Sequence, residues 1–423
     1  MSQLAQTDFP LRPQARGLAI EPRLLAGALN RLSEGLTVGQ LTVELPDGRR
    51  VHARGKTPGP GAEIAIRHYR IARHLLFGGA LGMADSYVAG DWDSDDLTAV
   101  IALGAANLES FEGRFKPVRA VRALGRLHQR LRANTRRGSR RNIAAHYDLG
   151  NDFYAAWLDP GMTYSAARFE PWDDSLAASQ ARKFDELAGM IDLRPDDHLL
   201  EIGCGWGGFA VHAASRYGCR VTALTVSPAQ AEWARKTVYE AGLTDRVEVR
   251  LQDYRDVAGR FDKIASIEMF EAVGEAYWPT FFKVLDARLR PGGCAGVQVI
   301  TIDEARFDAY RRNPDFIQLR VFPGGMLPSP TRFADEANGA GLTVSGAHSF
   351  GPDYAETLRH WREAFESAWP DIAQQGFDER FRRLWRYYLS YCEAGFRAGN
   401  ISVAQYQIRK QRVSHRPPAC GGG

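Results

Sequence analysis

The residue types best suited to chemistry crowd into one stretch, Asp197 to Phe209, which reads Asp-His-Leu-Leu-Glu-Ile-Gly-Cys-Gly-Trp-Gly-Gly-Phe. His198 to Ile202 has the length and apolar content of a short buried strand. Gly203, Gly205, Gly207 and Gly208 make a turn. Phe209 to Tyr217 then carries Val211, Ala214 and Tyr217 at helical spacing. Glycines let the chain turn sharply and let a ligand lie against bare main chain. The N-terminus of the following helix offers N–H groups to a negatively charged group. Strand, glycine turn and helix together form the front end of a nucleotide-binding α/β unit.

Two nucleotides compete for such a turn. Gly203, Gly205 and Gly208 fit the loose G-x-G-x-x-G spacing of NAD sites. An NAD site also needs a carboxylate about 20 residues on, at the end of the second strand. Here that strand, Cys219 to Thr225, runs into Val226-Ser227-Pro228 with no acid. Glu201, two residues before the first glycine, occupies the position where S-adenosylmethionine (SAM) sites carry an acid. An ordinary glycine-rich strand–helix turn is the remaining alternative.

The surrounding pattern says what must hold this turn. Strands are expected at Cys219–Thr225, Val247–Leu251, Phe261–Ile267 and Cys294–Ile302. Helices are expected from Pro228 and over Tyr277–Leu289, the second stopped by Pro291-Gly292-Gly293. Repeated β-α units give an α/β fold: a doubly wound, mostly parallel sheet covered on both faces, with ligands at the carboxyl ends of its strands. Helices over Asn142–Trp157 and Phe184–Ile191 lead into it. Residues 303–330 break the alternation and read as a lid or substrate wall. Helix, strand, two helices (about 353–369 and 377–397) and a last strand near Ser402–Ile408 follow. Residues 21–110 form a small N-terminal domain with strands at 36–38, 41–45 and 63–66 and a helix over His68–Phe77. The resulting division is a flexible lead, 21–110, a basic linker 111–141, a main domain 142–410, and a disordered tail 411–423.

The chain has 423 residues, 44% hydrophobic and 25% charged, a composition of globular domains. Its apolar runs fall short of a membrane span, and the N-terminus lacks a signal-peptide pattern. Five cysteines without C-x-x-C spacing suggest no disulfide framework or zinc site, and no metal is expected. A reducing cytoplasm is the expected compartment.

Charge is unevenly spread. Residues 114–141 hold 11 Lys or Arg and no acid, in a chain whose formal charge is only +4. Val118, Val121, Leu124, Leu127 and Leu131 recur at helical spacing among the arginines. Such a helix can lie on an anionic bilayer, each basic residue contributing about 1 kcal/mol. Nucleic acid is the competing partner of a basic run, but no stacking aromatics are interleaved, so none is expected. A solvated linker is the third alternative.

Further segments carry a resemblance. His146-Tyr147-Asp148-Leu149-Gly150-Asn151-Asp152-Phe153-Tyr154, Leu158-Asp159-Pro160, Thr163-Tyr164-Ser165, the glycine turn, Leu224-Thr225-Val226-Ser227, Met269-Phe270-Glu271, Phe322-Pro323-Gly324-Gly325, Leu327-Pro328-Ser329 and Tyr388-Leu389-Ser390-Tyr391-Cys392 occur in this order. The chain thereby resembles the cyclopropane-fatty-acyl-phospholipid synthase and mycolic acid synthase family across most of residues 140–408. The resemblance implies a class I SAM-methyltransferase fold with a small N-terminal accessory domain. It implies SAM as co-substrate, methylene transfer to a cis double bond of a phospholipid acyl chain, and a dimer. The enzyme would then sit on the inner face of the cell membrane.

The resemblance also assigns roles. Gly203, Gly205, Tyr164 and Ser165 would hold the amino-acid part of SAM, Thr225 and Gln230 the ribose, Asp253 and Tyr254 the adenine. Methyl transfer to an alkene leaves a carbocation, which the faces of Tyr147, Tyr164, Phe169, Phe270 and Tyr354 could stabilise. A base must then remove a proton. In the family that base is a bound bicarbonate, cradled by residues matching Glu271 and Tyr354. Cys392 matches a cysteine sometimes treated as catalytic, although the chemistry needs no thiol. Two cradle positions depart: Ala166 stands where the family has Cys and Ile300 where it has His. Ala272 replaces a further frequent His. Without the bicarbonate, the product would be a methyl- or methylene-branched chain. A non-lipid SAM methyltransferase and a SAM-binding membrane protein without turnover are the other classes.

Overall fold

The structure, a computed structural model, describes residues 20–115, 149–170 and 175–410. Its chain groups into two compact units, each discontinuous in sequence. Of the described residues, one unit draws on 20–115, Asp308–Pro323 and Tyr354–Ile401; the other on 149–170, 175–307, Gly324–Asp353 and 402–410. This grouping cuts across the sequential division at 110 and 142. Of the basic segment, residues 116–141 lie outside the described residues, as do Tyr147 and the tail 411–423.

In the first unit, helix Ile20–Gly35 precedes strands β1 (Val38–Glu44), β2 (Arg50–Arg54), β3 (Thr57–Ile66) and β4 (Trp92–Asp93), in the order β2-β1-β3-β4. The helix and β2 are additions to the sequence expectation. Pro46-Asp47-Gly48 makes the expected turn, with Leu45 N donating to Arg49 O at 2.8 Å. The helix expected to end at Phe77 runs over Ile71–Val88 and kinks at Gly79 (φ 59°, ψ −138°). Gly78-Gly79 bends the helix without ending it.

The late helix Glu379–Arg397 belongs to this unit for a definite reason. Asp378 caps it, accepting from Phe381 N at 2.8 Å. Arg383, on that helix, lies 4.1 Å from the Tyr87 ring centre and donates to Trp92 O (2.7 Å) and Asp93 (3.1 Å). Arg320, from the 303–330 insert, pairs with Asp85 at 2.8 Å. That insert is partly regular: it contains helix Glu304–Arg312 and a single π-helical turn, Ile317–Val321.

In the second unit, strands β5 (His198–Ile202), β6 (Arg220–Thr225), β7 (Val247–Leu251), β8 (Phe261–Ile267), β9 (Leu289–Ile302), β10 (Leu342–Ser349) and β11 (Ile401–Lys410) form one sheet. The order is β10-β11-β9-β8-β5-β6-β7. β9-β8-β5-β6-β7 is parallel and β10 runs antiparallel to β11. Central β5 reads as a nearly continuous buried run, as a strand covered on both faces must. Behind the glycine turn, Leu199, Val221, Ala210, Ala213 and Leu187 pack in one apolar cluster. β9 begins earlier than expected, because Pro291-Gly292-Gly293 falls in a bulge between the pairs Phe261–Leu289 and Lys263–Cys294. Among the described residues no helix is long and apolar enough to cross a membrane.

Candidate active site

Four parallel strands deliver their carboxyl ends to one place. β5 ends in Glu201 and Ile202, β6 in Leu224 and Thr225. Gln252, Asp253 and Tyr254 follow β7, and Glu268 and Met269 follow β8. Together with Tyr164, Ser165 and the glycine turn they line a cavity of about 170 Å³. All eight residues expected to hold a nucleotide are there: Tyr164, Ser165, Gly203, Gly205, Thr225, Gln230, Asp253 and Tyr254.

The turn is pinned to β6, since the N–H groups of Gly203 and Cys204 both donate to Leu224 O (3.0 and 2.8 Å). Gly203 has φ +84°, and a Cβ there would meet Met269 Cγ at 2.7 Å, so the position excludes a side chain. Ser227 caps the helix Pro228–Glu240 by accepting from Gln230 N at 3.3 Å. That cap holds Gln230 against β6, where Thr225 Oγ1 donates to Gln230 Oε1 at 2.9 Å. Hydroxyl and amide thus stand together at the strand end that lacks an acid. Asp253 is held by its own turn: Arg255 donates to it from Nη2 (2.6 Å), Nε (2.9 Å) and N (3.0 Å).

Behind Ser165 of the cavity lining sits a buried ionic group that the sequence did not reveal. Lys183 is fully buried and donates to Ser165 Oγ at 2.6 Å. Burial pulls its ammonium down to about 8, against the opposing charges of Glu268, Asp159 and Glu201. Burial pushes the Glu201 carboxyl up to about 8, with Lys183 resisting, and Glu201 Oε2 has no hydrogen-bond partner. Glu268 follows β8 in a left-handed conformation (φ 49°) rare for a side-chain-bearing residue. Its Oε1 accepts from Ala166 N and from Gln298 Nε2, both at 2.8 Å. Gln298 in turn accepts from Gln405 Nε2 at 3.1 Å, which also reaches Lys183 O at 3.1 Å. A polar chain inside the sheet therefore orients Glu268. The visible signal was a glutamine amid apolar residues in each of two buried strands, Val297-Gln298-Val299 and Ala404-Gln405-Tyr406.

The three expected catalytic residues are placed differently. Glu271 is outside the cavity lining. Its Oε1 accepts from Ile300 N at 2.5 Å, its Oε2 is buried without a partner, and burial plus the nearby Glu268 push its carboxyl up to about 8. Tyr354 and Cys392 fall in the other unit. Tyr354 packs on Phe396 at 4.5 Å and on Trp361 at 5.9 Å. Burial pushes the Cys392 thiol well above its ordinary range, which makes it a poor nucleophile. Of the aromatic candidates, Phe270 is a core residue, stacked on Trp278 at 5.5 Å.

Among the described residues no His, Cys, Asp and Glu group could hold a metal. The cavity fits a ligand with a positive group, because a buried, unpartnered carboxyl oxygen of Glu201 lines it. It also fits one that lies against main chain, because Gly203 leaves no room for a side chain. SAM has both features. The family profile described as mycolic acid cyclopropane synthetase matches residues 134–406. The chain belongs to this family. It is 41% identical over 354 residues to the tuberculostearic acid methyltransferase UfaA1 of Mycobacterium tuberculosis, covering 81% of each chain. It is 36% identical over 351 residues to the cyclopropane-fatty-acyl-phospholipid synthase of Escherichia coli, covering 81% of this chain and 87% of that one. Among solved structures it is similar to the mycolic acid cyclopropane synthase CmaA1 complexed with SAH and CTAB. That likeness has a TM-score of 0.60 at 32% identity and covers 64% of this chain and 98% of the other. The chain is therefore a SAM-dependent methyltransferase of the cyclopropane synthase family, and the seven-stranded sheet is its class I methyltransferase fold.

Proposed function

We propose that this methyltransferase alkylates a cis double bond within an unsaturated phospholipid acyl chain. The supporting observation is the cavity at the strand ends, where an acid, a glycine turn and the Thr225–Gln230 pair meet. SAM, when bound, supplies an electrophilic methyl group. Gly203 and Gly205 would give it bare backbone, Glu201 would face its ammonium, Thr225 and Gln230 its ribose, and Asp253 and Tyr254 its adenine. The chain's part is to align a weak nucleophile with that methyl and to exclude water while charge develops on the acyl carbon.

Ring closure to a cyclopropane is the product of the relatives with that name. One observation favours the methyl- or methylene-branched product instead. A bicarbonate beside Glu271 would stand next to two carboxyl groups, Glu271 and Glu268, at a place where Ala166 and Ile300 offer only main-chain N–H groups. Purified enzyme, SAM and vesicles of mono-unsaturated phospholipid test both points. Mass spectrometry of the fatty esters should show a gain of one CH₂. Mild hydrogenation then reduces an alkene product and spares a cyclopropane. No mass gain with any unsaturated lipid would sink the proposal. We further propose that residues 114–141 dock the enzyme on the anionic inner face of the membrane, and that it works as a dimer. Vesicle sedimentation that is insensitive to salt and to anionic lipid would refute the docking.

A further inference from the structure

Alkylation of a double bond leaves a cation, and the product forms only when a base takes a proton. We propose that Glu268 is this proton acceptor. The inference rests on acyl-chain alkylation as the function. The carboxyl groups near the cavity divide by their surroundings. Asp253 is committed to three donors of Arg255. Glu201 precedes the glycine turn and is pushed by burial towards its neutral form. Glu271 does not line the cavity and is pushed the same way. Glu268 lines the cavity, and both groups bonded to its Oε1 are donors, which favours the ionised acceptor. Lys183 supplies a positive charge close enough to interact with it.

Two further features point the same way. The left-handed backbone at Glu268 costs on the order of 1 kcal/mol or more, and such strain gathers at working positions. The Gln405–Gln298–Glu268 chain fixes the carboxylate from behind. Ala166, whose position has lost a polar side chain, gives its N–H to this same carboxylate. The acid thus replaces the missing anion with a base that is part of the chain. In the step, a C–H bond of the transferred methyl breaks. Its electron pair either forms a new C–C bond to the cationic carbon and closes a ring, or, once a hydride shift has moved the cation to the methyl-bearing carbon, forms the π bond of an exocyclic C=CH₂. The proton ends on a Glu268 oxygen and leaves to solvent. No oxidant or reductant is needed.

The test compares wild type, Glu268→Gln and Glu268→Asp, with dioleoyl phosphatidylglycerol vesicles as substrate. Binding of S-adenosylhomocysteine is measured by calorimetry in parallel. The Gln variant should bind that ligand within about threefold of wild type yet turn over about 10²–10⁴-fold more slowly, the range of a lost general base. The Asp variant should fall between the two and show a larger isotope effect with CD₃-labelled SAM, because proton removal becomes slower. Near-normal turnover in the Gln variant overturns the inference. So does a loss of ligand binding that matches the loss of turnover, since Glu268 would then serve donor binding. If the Gln variant does not fold, an Asp variant with unchanged rate and isotope effect overturns it as well. Wild-type enzyme that alkylates no lipid overturns the function itself, which an active wild type with an active Gln variant does not.

Discussion

Replacing Glu201 by Gln should make the free protein more stable and the donor site weaker. The carboxyl is raised from 4.5 to about 8 by burial, so at pH 7 the folded chain holds a proton that the unfolded chain has released. At about 1.4 kcal/mol per unit, the gap between 4.5 and 7 costs about 3 kcal/mol. The Gln amide N–H groups would be buried where Glu201 Oε2 has no partner, which offsets part of the gain, leaving on the order of 1–2 kcal/mol. The sign follows from the raised value. Stability from this group is fully present below pH 4.5 and is lost as pH rises through about 8. The Gln variant should therefore show a flatter decline in urea stability between pH 5 and 8. Gln can still accept from the SAM ammonium but cannot ionise beside it, and losing that ion pair should cost about 1.5–3 kcal/mol, or about 10–100-fold in affinity. Urea titrations across that pH range and calorimetry with SAM read both effects. A Gln variant that is less stable at pH 7.5, or that binds SAM as tightly as wild type, refutes the reasoning.

Three other substitutions probe the frame around the site. Gly203→Ala should lower stability by at least about 1–2 kcal/mol in urea titration, because it forces a left-handed alanine and drives a Cβ against Met269. It should also abolish calorimetric SAM binding. Lys183→Met removes the counter-charge of Glu268, Asp159 and Glu201 and should cost about 3–5 kcal/mol in the same titration. Arg383→Ala, in the other unit, deletes the contact with the Tyr87 ring and the bonds to Trp92 and Asp93. It should cost about 2–4 kcal/mol in urea while SAM affinity stays within twofold.

The cavity at the strand ends was legible in the sequence because its determinants are local. A glycine turn, a strand end and the residue after a strand are recognised from neighbours, and Gly203, Thr225 and Asp253 all line the cavity as expected. Lys183 was not legible. It stands in Ala181-Arg182-Lys183-Phe184, where a basic pair looks solvated, yet it falls on the same helical stripe as Ser179, Gln180 and Leu187, all buried. Only the fold brings Asp159, Glu201 and Glu268 around it. The grouping of Glu379–Arg397 with the N-terminal strands was hidden for the same reason. Arg383 finds Tyr87 almost 300 residues earlier in the chain, and no local pattern records that.

Ala166 and Ile300 show where comparison by residue type misleads. Each looks like a loss, a polar side chain replaced by an apolar one. In the structure each still serves an acid, because the donor is the main chain: Ala166 N reaches Glu268 and Ile300 N reaches Glu271. A backbone N–H exists at every residue except proline, so substitution cannot remove it and side-chain identity cannot reveal it. The two acids then diverge. Glu271, buried with one oxygen unpartnered, is driven to its neutral form. Glu268, doubly bonded by donors and close to Lys183, keeps the conditions for a negative charge at the cavity. A pair of carboxyl groups held apart in this way can divide acid and base roles without a bound anion. If the proposed alkylation holds, the product turns on which acid meets the reacting methyl, more than on the side chains at Ala166 and Ile300.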